Sequence, residues 1–163
     1  MKLSVFLLLV VACAAGTRSA YSAERERSAE NERHRESAPL FAEVTVLHAT
    51  NAGKGIDPRI GEMPELSRAP FSAYDSYALL DRARLPFDEH SRHLVLPNGS
   101  QLNIDLRERL GKDQVRFAAS VSRPKGKEVL PLLEVKAKVG QRFVVAGQSF
   151  KKGILVLVIR PVR

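Results

Sequence analysis

The densest run of side chains able to do chemistry is Asp88-Glu89-His90-Ser91-Arg92-His93. Carboxylates and imidazoles are donors for zinc or copper, and the same groups act as general acids and bases in hydrolysis. A metal site needs several convergent donors, and no third clustered ligand and no cysteine accompanies this pair of histidines. On a strand, His90 and His93 would point to opposite faces. Asn51-Ala52-Gly53-Lys54-Gly55 has the glycines and the lysine of a phosphate loop. Gly55 nevertheless stands where that loop needs Ser or Thr, and Ile56-Asp57-Pro58 blocks the helix that should follow. Ser, His and Asp are all present without a Gly-x-Ser-x-Gly elbow. Asn98-Gly99-Ser100 matches a glycosylation sequon, but its place in a turn accounts for it. These motifs assign no catalytic residue, no metal ligand and no cofactor. They rank a non-catalytic domain ahead of a hydrolase of envelope polymers, for which Asp88, Glu89, His90 and His93 are the only clustered candidates.

The single cysteine, Cys13, offers a different chemistry. Lys2 is followed by an apolar run from Leu3 to Ala12, broken only by Ser4, and then by small residues. This is the make-up of an export signal, and the run is shorter than the roughly 20 apolar residues that span a bilayer. Val10-Val11-Ala12-Cys13 resembles a bacterial lipobox, which implies lipidation of Cys13 at a new N-terminus. Ala14 after the cysteine then implies an outer-membrane anchor. Cleavage at the small residues Cys13, Ala14 and Ala15 is the competing reading. One cysteine cannot form an internal disulfide, and a lone thiol in an oxidising compartment needs a reason, which lipidation supplies.

Charge is the third clue. Residues 107–163 hold fourteen Lys and Arg against four Asp and Glu, whereas residues 42–106 hold six against nine. Such asymmetry favours anionic partners. The residues expected to form a weak anion-binding surface are Arg107, Arg109, Arg116, Lys125, Lys127, Lys136, Lys138, Lys151 and Lys152. The competing reading is that strand faces carry Lys and Arg for solubility and edge protection. The expected partner is an anionic envelope component or another protein, rather than nucleic acid.

These residues need elements to hold them. Residues 1–12 read as the signal peptide and 13–41 as a charged flexible tether. Between residues 14 and 38 there is no Val, Ile or Leu, and five Arg balance five Glu. Such a stretch buries too little to offset its ordering entropy. A charged helix is the alternative, since Ala, Glu and Arg form helices well. Residues 42–163 are long enough for one domain with its own core. Val44 and Val46 alternate with Glu43 and Thr45; Leu102, Ile104 and Leu106 alternate with Asn103, Asp105 and Arg107. Asn98-Gly99 between two such runs signals a hairpin. Ile154–Ile159 is apolar on both faces, as in a strand covered on both sides or central in its sheet. The whole predicts an all-β domain, an antiparallel sandwich or small barrel of about seven or eight strands, with one short helix near residues 63–68.

The stretch VTVLHATNAGKGIDPRIGEMPELSRAPFSAYDSYALLDRARL, Val44 to Leu85, resembles a pattern in uncharacterised secreted proteins of Gram-negative environmental bacteria, as does the tail GQRFVVAGQSFKKGILVLVIRP. That group implies secretion but no transferable activity. The tail also resembles, over about twenty residues, the glycine-rich hairpin of outer-membrane secretins. The expectation is an exported module, periplasmic, anchored at the outer membrane or extracellular, that binds a partner or stiffens an assembly. An accessory subunit of an outer-membrane secretion or surface machine is the alternative.

Overall fold

Strand β1 (Phe41–Thr50) alternates, and both of its faces are used. Ala42, Val44 and Val46 turn toward one core, and Leu47 and Ala49 toward a second. The computed structural model describes residues 24, 25, 27–31, 38–123 and 128–163, without the side chains of 128 and 129. Glu24, Arg25 and residues 27–31 belong to a unit separate from Ala38–Arg163. They are helical with exposed side chains, as their propensities allow.

Ala38–Arg163 forms a two-sheet sandwich, not a closed barrel. The remaining strands are β2 (Gly55–Ile56), β3 (Ser76–Pro86), β4 (Arg92–Val95), β5 (Gln101–Arg109), β6 (Gln114–Ser122), β7 (Glu128–Lys138), β8 (Phe143–Phe150) and β9 (Gly153–Val162). One sheet has the order β2-β3-β1-β9-β8, and the other is the meander β4-β5-β6-β7. All pairs are antiparallel except β2 with β3. Apart from β2 the count is eight, within the seven or eight expected; the two-residue β2 lies in the glycine-rich loop, where no alternation announces it. Leu40, just before β1, is buried in the sandwich.

The main core lies between the sheets. Val44, Leu155, Leu157 and Ile159 meet Leu102, Ile104, Val115, Phe117 and Val121. Phe117 stacks edge-on against Phe87 and Phe143, with ring centroids 5.5 and 6.1 Å away. A fully buried side chain of this size contributes about 1.5–3 kcal/mol.

The second core explains why β9 is apolar on both sides. Residues 57–74 fold over the outer face of the five-stranded sheet through three short 3₁₀ turns, Pro58–Ile60, Pro64–Ser67 and Phe71–Ala73. The helix expected near 63–68 is the second of these, a 3₁₀ turn with Pro64 in its first turn, where a missing N–H costs nothing. Ile60 and Leu66 pack on Leu47, Tyr77, Val156 and Val158. The buried Tyr77 hydroxyl donates to the Phe71 carbonyl at 2.7 Å. Where β9 begins, β1 passes so close that only glycine fits. A Cβ on Gly153 would strike the Ala49 carbonyl oxygen and sit 2.8 Å from Thr50 Cγ2.

The sandwich has two distinct ends. The chain enters at one of them. There Leu40 O accepts from Phe87 N, Ala38 O from Arg109, Asp113 O from Val139 N and Pro161 O from Gly140 N. At the other end lie the β4–β5 and β8–β9 turns, where Asn98 donates to Gln148 at 3.1 Å.

Candidate functional site

Asp88, Glu89 and His90 sit in the bend between β3 and β4, at the end where the chain enters. Asp88 organises that bend. Its carboxylate accepts from His90 N at 3.0 Å and from Arg92 at 2.6 Å. The hydrogen bond from Arg92 holds the Asp88 carboxyl below its ordinary range, so it is an acceptor at neutral pH and not a proton donor. These three residues line one open groove with Leu106, Arg107, Glu108 and Arg109. His93 is not among them; it lies on β4 opposite Asn103. Among the described residues no three of His, Cys, Asp and Glu are placed to hold a metal ion.

The phosphate-loop lookalike spends its donors internally. Gly53 N donates to Asp75 at 2.9 Å and Lys54 N to the Ser76 hydroxyl at 2.8 Å. Ser76 in turn donates to Asp75 at 2.6 Å, and Asp75 N to the Asn51 side chain. The bonds from the Ser76 hydroxyl and Gly53 N draw the Asp75 carboxyl downward, Ser76 contributing most. Asp57 fixes the other side of β2. Its carboxylate takes Arg59 through side chain and backbone, and Leu79 N at 3.3 Å. The Asp57 carboxyl is thereby driven far below the usual range, with Arg59 the leading cause. This network seats the loop on β3.

The nine expected anion-binding residues separate into groups. Arg116 and Lys136 are direct cross-strand partners on the outer face of the four-stranded sheet, and Lys138 follows on the same face opposite Gln114. Arg116 leans away from Lys136 to Glu108 at 3.1 Å. Lys136 and Lys138 are exposed and have no carboxylate partner among the described residues. Arg107 pairs with Asp105 at 3.0 Å, and Arg109 donates to the Ala38 carbonyl. Lys151 and Lys152 form the β8–β9 turn at the opposite end, with Lys151 Nζ over the Phe150 ring. They therefore do not join the lysines of β7. Cys13, Lys125 and Lys127 lie outside the described residues.

One cationic feature escaped the sequence reading. On the lower outer face of the five-stranded sheet, Arg82, Arg142 and Arg160 line a polar cleft of about 420 Å³ with Glu43, Thr45 and Glu62. Arg160 donates twice to one Glu43 oxygen, at 2.6 and 3.1 Å. Arg142 reaches the Glu62 carbonyl at 3.2 Å and clasps the end of the covering segment. These arginines come from β3, the β7–β8 turn and β9, and no local spacing in the chain links them. The cross-strand register brings Glu43 opposite both Arg84 and Arg160.

Comparison with protein-family models, curated proteins and solved structures found no match to the chain.

Proposed function

We propose that this is an exported, non-catalytic β-sandwich module, held at the bacterial envelope through Cys13, that binds an anionic envelope component through its uncompensated lysines. The observation that carries the reading is the pair Lys136 and Lys138. They stand at alternate positions on β7, so they share a face, with Arg116 beside them. Most other cations at that end are already engaged: Arg107, Arg116, Arg142, Arg160 and Arg163 each lie within 4 Å of a carboxylate. Ammonium groups on an open strand face meet phosphates or carboxylates from solution without first breaking an ion pair. Such contacts are screened over about 8 Å at physiological salt, so the binding is weak and salt-sensitive.

The signal-like start and the lipobox resemblance supply the location, and no described helix is long and apolar enough to cross a membrane. The test has two arms. Cells given labelled palmitate should label the wild type and not Cys13→Ser, and only the wild type should partition with membranes. The mature chain should also be retained on lipopolysaccharide at low salt and released as salt rises. An unlabelled mature protein beginning at Ala15 or Gly16 contradicts the anchor, and no retention at low salt contradicts the anionic partner.

A further inference from the structure

We infer that the polar cleft on the five-stranded sheet binds a free amino acid, taking its carboxylate at Arg82 and its ammonium at Glu62. The cleft is on the other sheet from Lys136 and Lys138, and it depends neither on them nor on a membrane anchor.

Strand register and the covering segment build the site together. On the outer face of the sheet Thr45 stands between Arg82 of β3 and Val158 of β9, and on the next row of that face Glu43 stands opposite Arg160. Ile60, Gly61, Glu62 and Met63 of the covering segment line the same cleft. Its volume of about 420 Å³ falls within the roughly 300–1,000 Å³ of small-molecule clefts.

The charges of the cleft select the ligand. Arg160 is taken up by Glu43 at 2.6 Å and Arg142 by Glu65 at 3.5 Å, so these pairs balance internally. Two opposite charges are left over, Arg82 and Glu62. Both line the cleft, yet neither has a charged partner among the described residues, and they do not pair with each other. The Arg82 guanidinium is steadied by one bond, from Nη2 to the Arg59 carbonyl at 3.1 Å, which leaves its remaining N–H donors for a ligand.

An amino-acid zwitterion supplies both missing partners at once. A plain acid would leave Glu62 unanswered, and a plain amine would leave Arg82 so. Charge-assisted hydrogen bonds are the strong ones, and inside a cleft they are screened less than on an open strand face. Both bonds from Arg160 go to Glu43 Oε2, so Glu43 Oε1 is a further acceptor beside the Thr45 hydroxyl. Ile60, Met63 and Val158 offer apolar surface to a side chain such as that of leucine.

The test titrates the isotope-labelled mature chain and follows its amide signals by NMR. The probes are leucine, N-acetylleucine, which lacks the ammonium, and leucinamide, which lacks the carboxylate. Leucine should give saturable shifts at Thr45, Gly61, Glu62 and Arg82. Each blocked compound should bind about tenfold more weakly, the loss of one charge-assisted bond. Arg82→Gln should weaken leucine by a similar factor and leave leucinamide unchanged. Glu62→Gln should weaken leucine and leave N-acetylleucine unchanged. Both positions are exposed, so either variant serves if the other folds poorly. Lys136→Glu with Lys138→Glu should bind leucine as the wild type does. Equal binding of all the compounds, or a leucine affinity indifferent to both cleft variants, overturns the assignment. Loss of leucine binding in the lysine variant overturns it by moving the site to β7. Absence of any leucine shift also overturns it and leaves the anion-binding lysines standing.

Discussion

The five-stranded sheet is covered on both faces, by the main core on one and by residues 57–74 over much of the other, whereas among the described residues the four-stranded sheet is covered on one face alone. The doubly covered sheet has little freedom to vary: β9 is apolar throughout Ile154–Ile159, and β1 and β9 meet at a glycine. The open sheet alternates along β5 but not through Phe117–Ala119 of β6, which are all buried, and outward positions such as Arg116, Lys136 and Lys138 carry charge. Stability is concentrated in the first and surface chemistry in the second, and substitutions in each should be felt in different measurements.

The largest effect is expected at the tightest contact of the covered sheet. Gly153→Ala should destabilise the domain by about 3 kcal/mol or more, because the colliding atom is backbone and cannot rotate aside. Thermal unfolding measures this directly; an unchanged melting temperature would mean that β1 and β9 are looser than described. The covering segment comes next. Leu66→Ala should cost about 2 kcal/mol, near the low end for such truncations since a surface segment can settle into the space. Hydrogen exchange should quicken over residues 57–74 before it does over β5 and β6. Uniform loosening of both sheets would erase the distinction between cover and core.

Acid should act first on the same loops. Asp57, Asp75 and Asp88 all have carboxyls held below their ordinary value of 3.8. Their ionised forms therefore add stability above that pH, and the contribution is lost as pH falls through it toward the folded values. Unfolding midpoints should drop as pH is lowered below 4, and Asp57→Asn should flatten that dependence. An equally steep profile in the variant would place the acid response elsewhere.

Much of the sandwich was legible in the chain. The alternation of Leu102, Ile104 and Leu106, the Asn98-Gly99 turn and the two-faced apolar run of β9 each follow from elementary packing, and each is found as read. The partner of β9's second face was not legible. Residues 57–74 have few periodic apolar positions, and Ile60 and Leu66 are buried from irregular 3₁₀ turns. Basic residues were countable but not groupable. Lys136 and Lys138 share a strand and could be paired by periodicity, whereas Arg82, Arg142 and Arg160 meet only through sheet order. Lys151 and Lys152 are near neighbours of β9 in sequence and stand at the opposite end from Lys138 in space.

The smallest expected effect on stability belongs to the open face and is the most informative about function. Lys136→Glu with Lys138→Glu should change stability by no more than about 0.5 kcal/mol, as exposed strand positions do. Retention of the mature chain on anionic vesicles, followed as salt rises, compares this variant with the wild type. The account predicts salt-sensitive retention of the wild type and its loss at low salt in the charge-reversed chain. Equal retention of the two at every salt concentration would contradict it and leave the lysines as solubilising residues of a strand face.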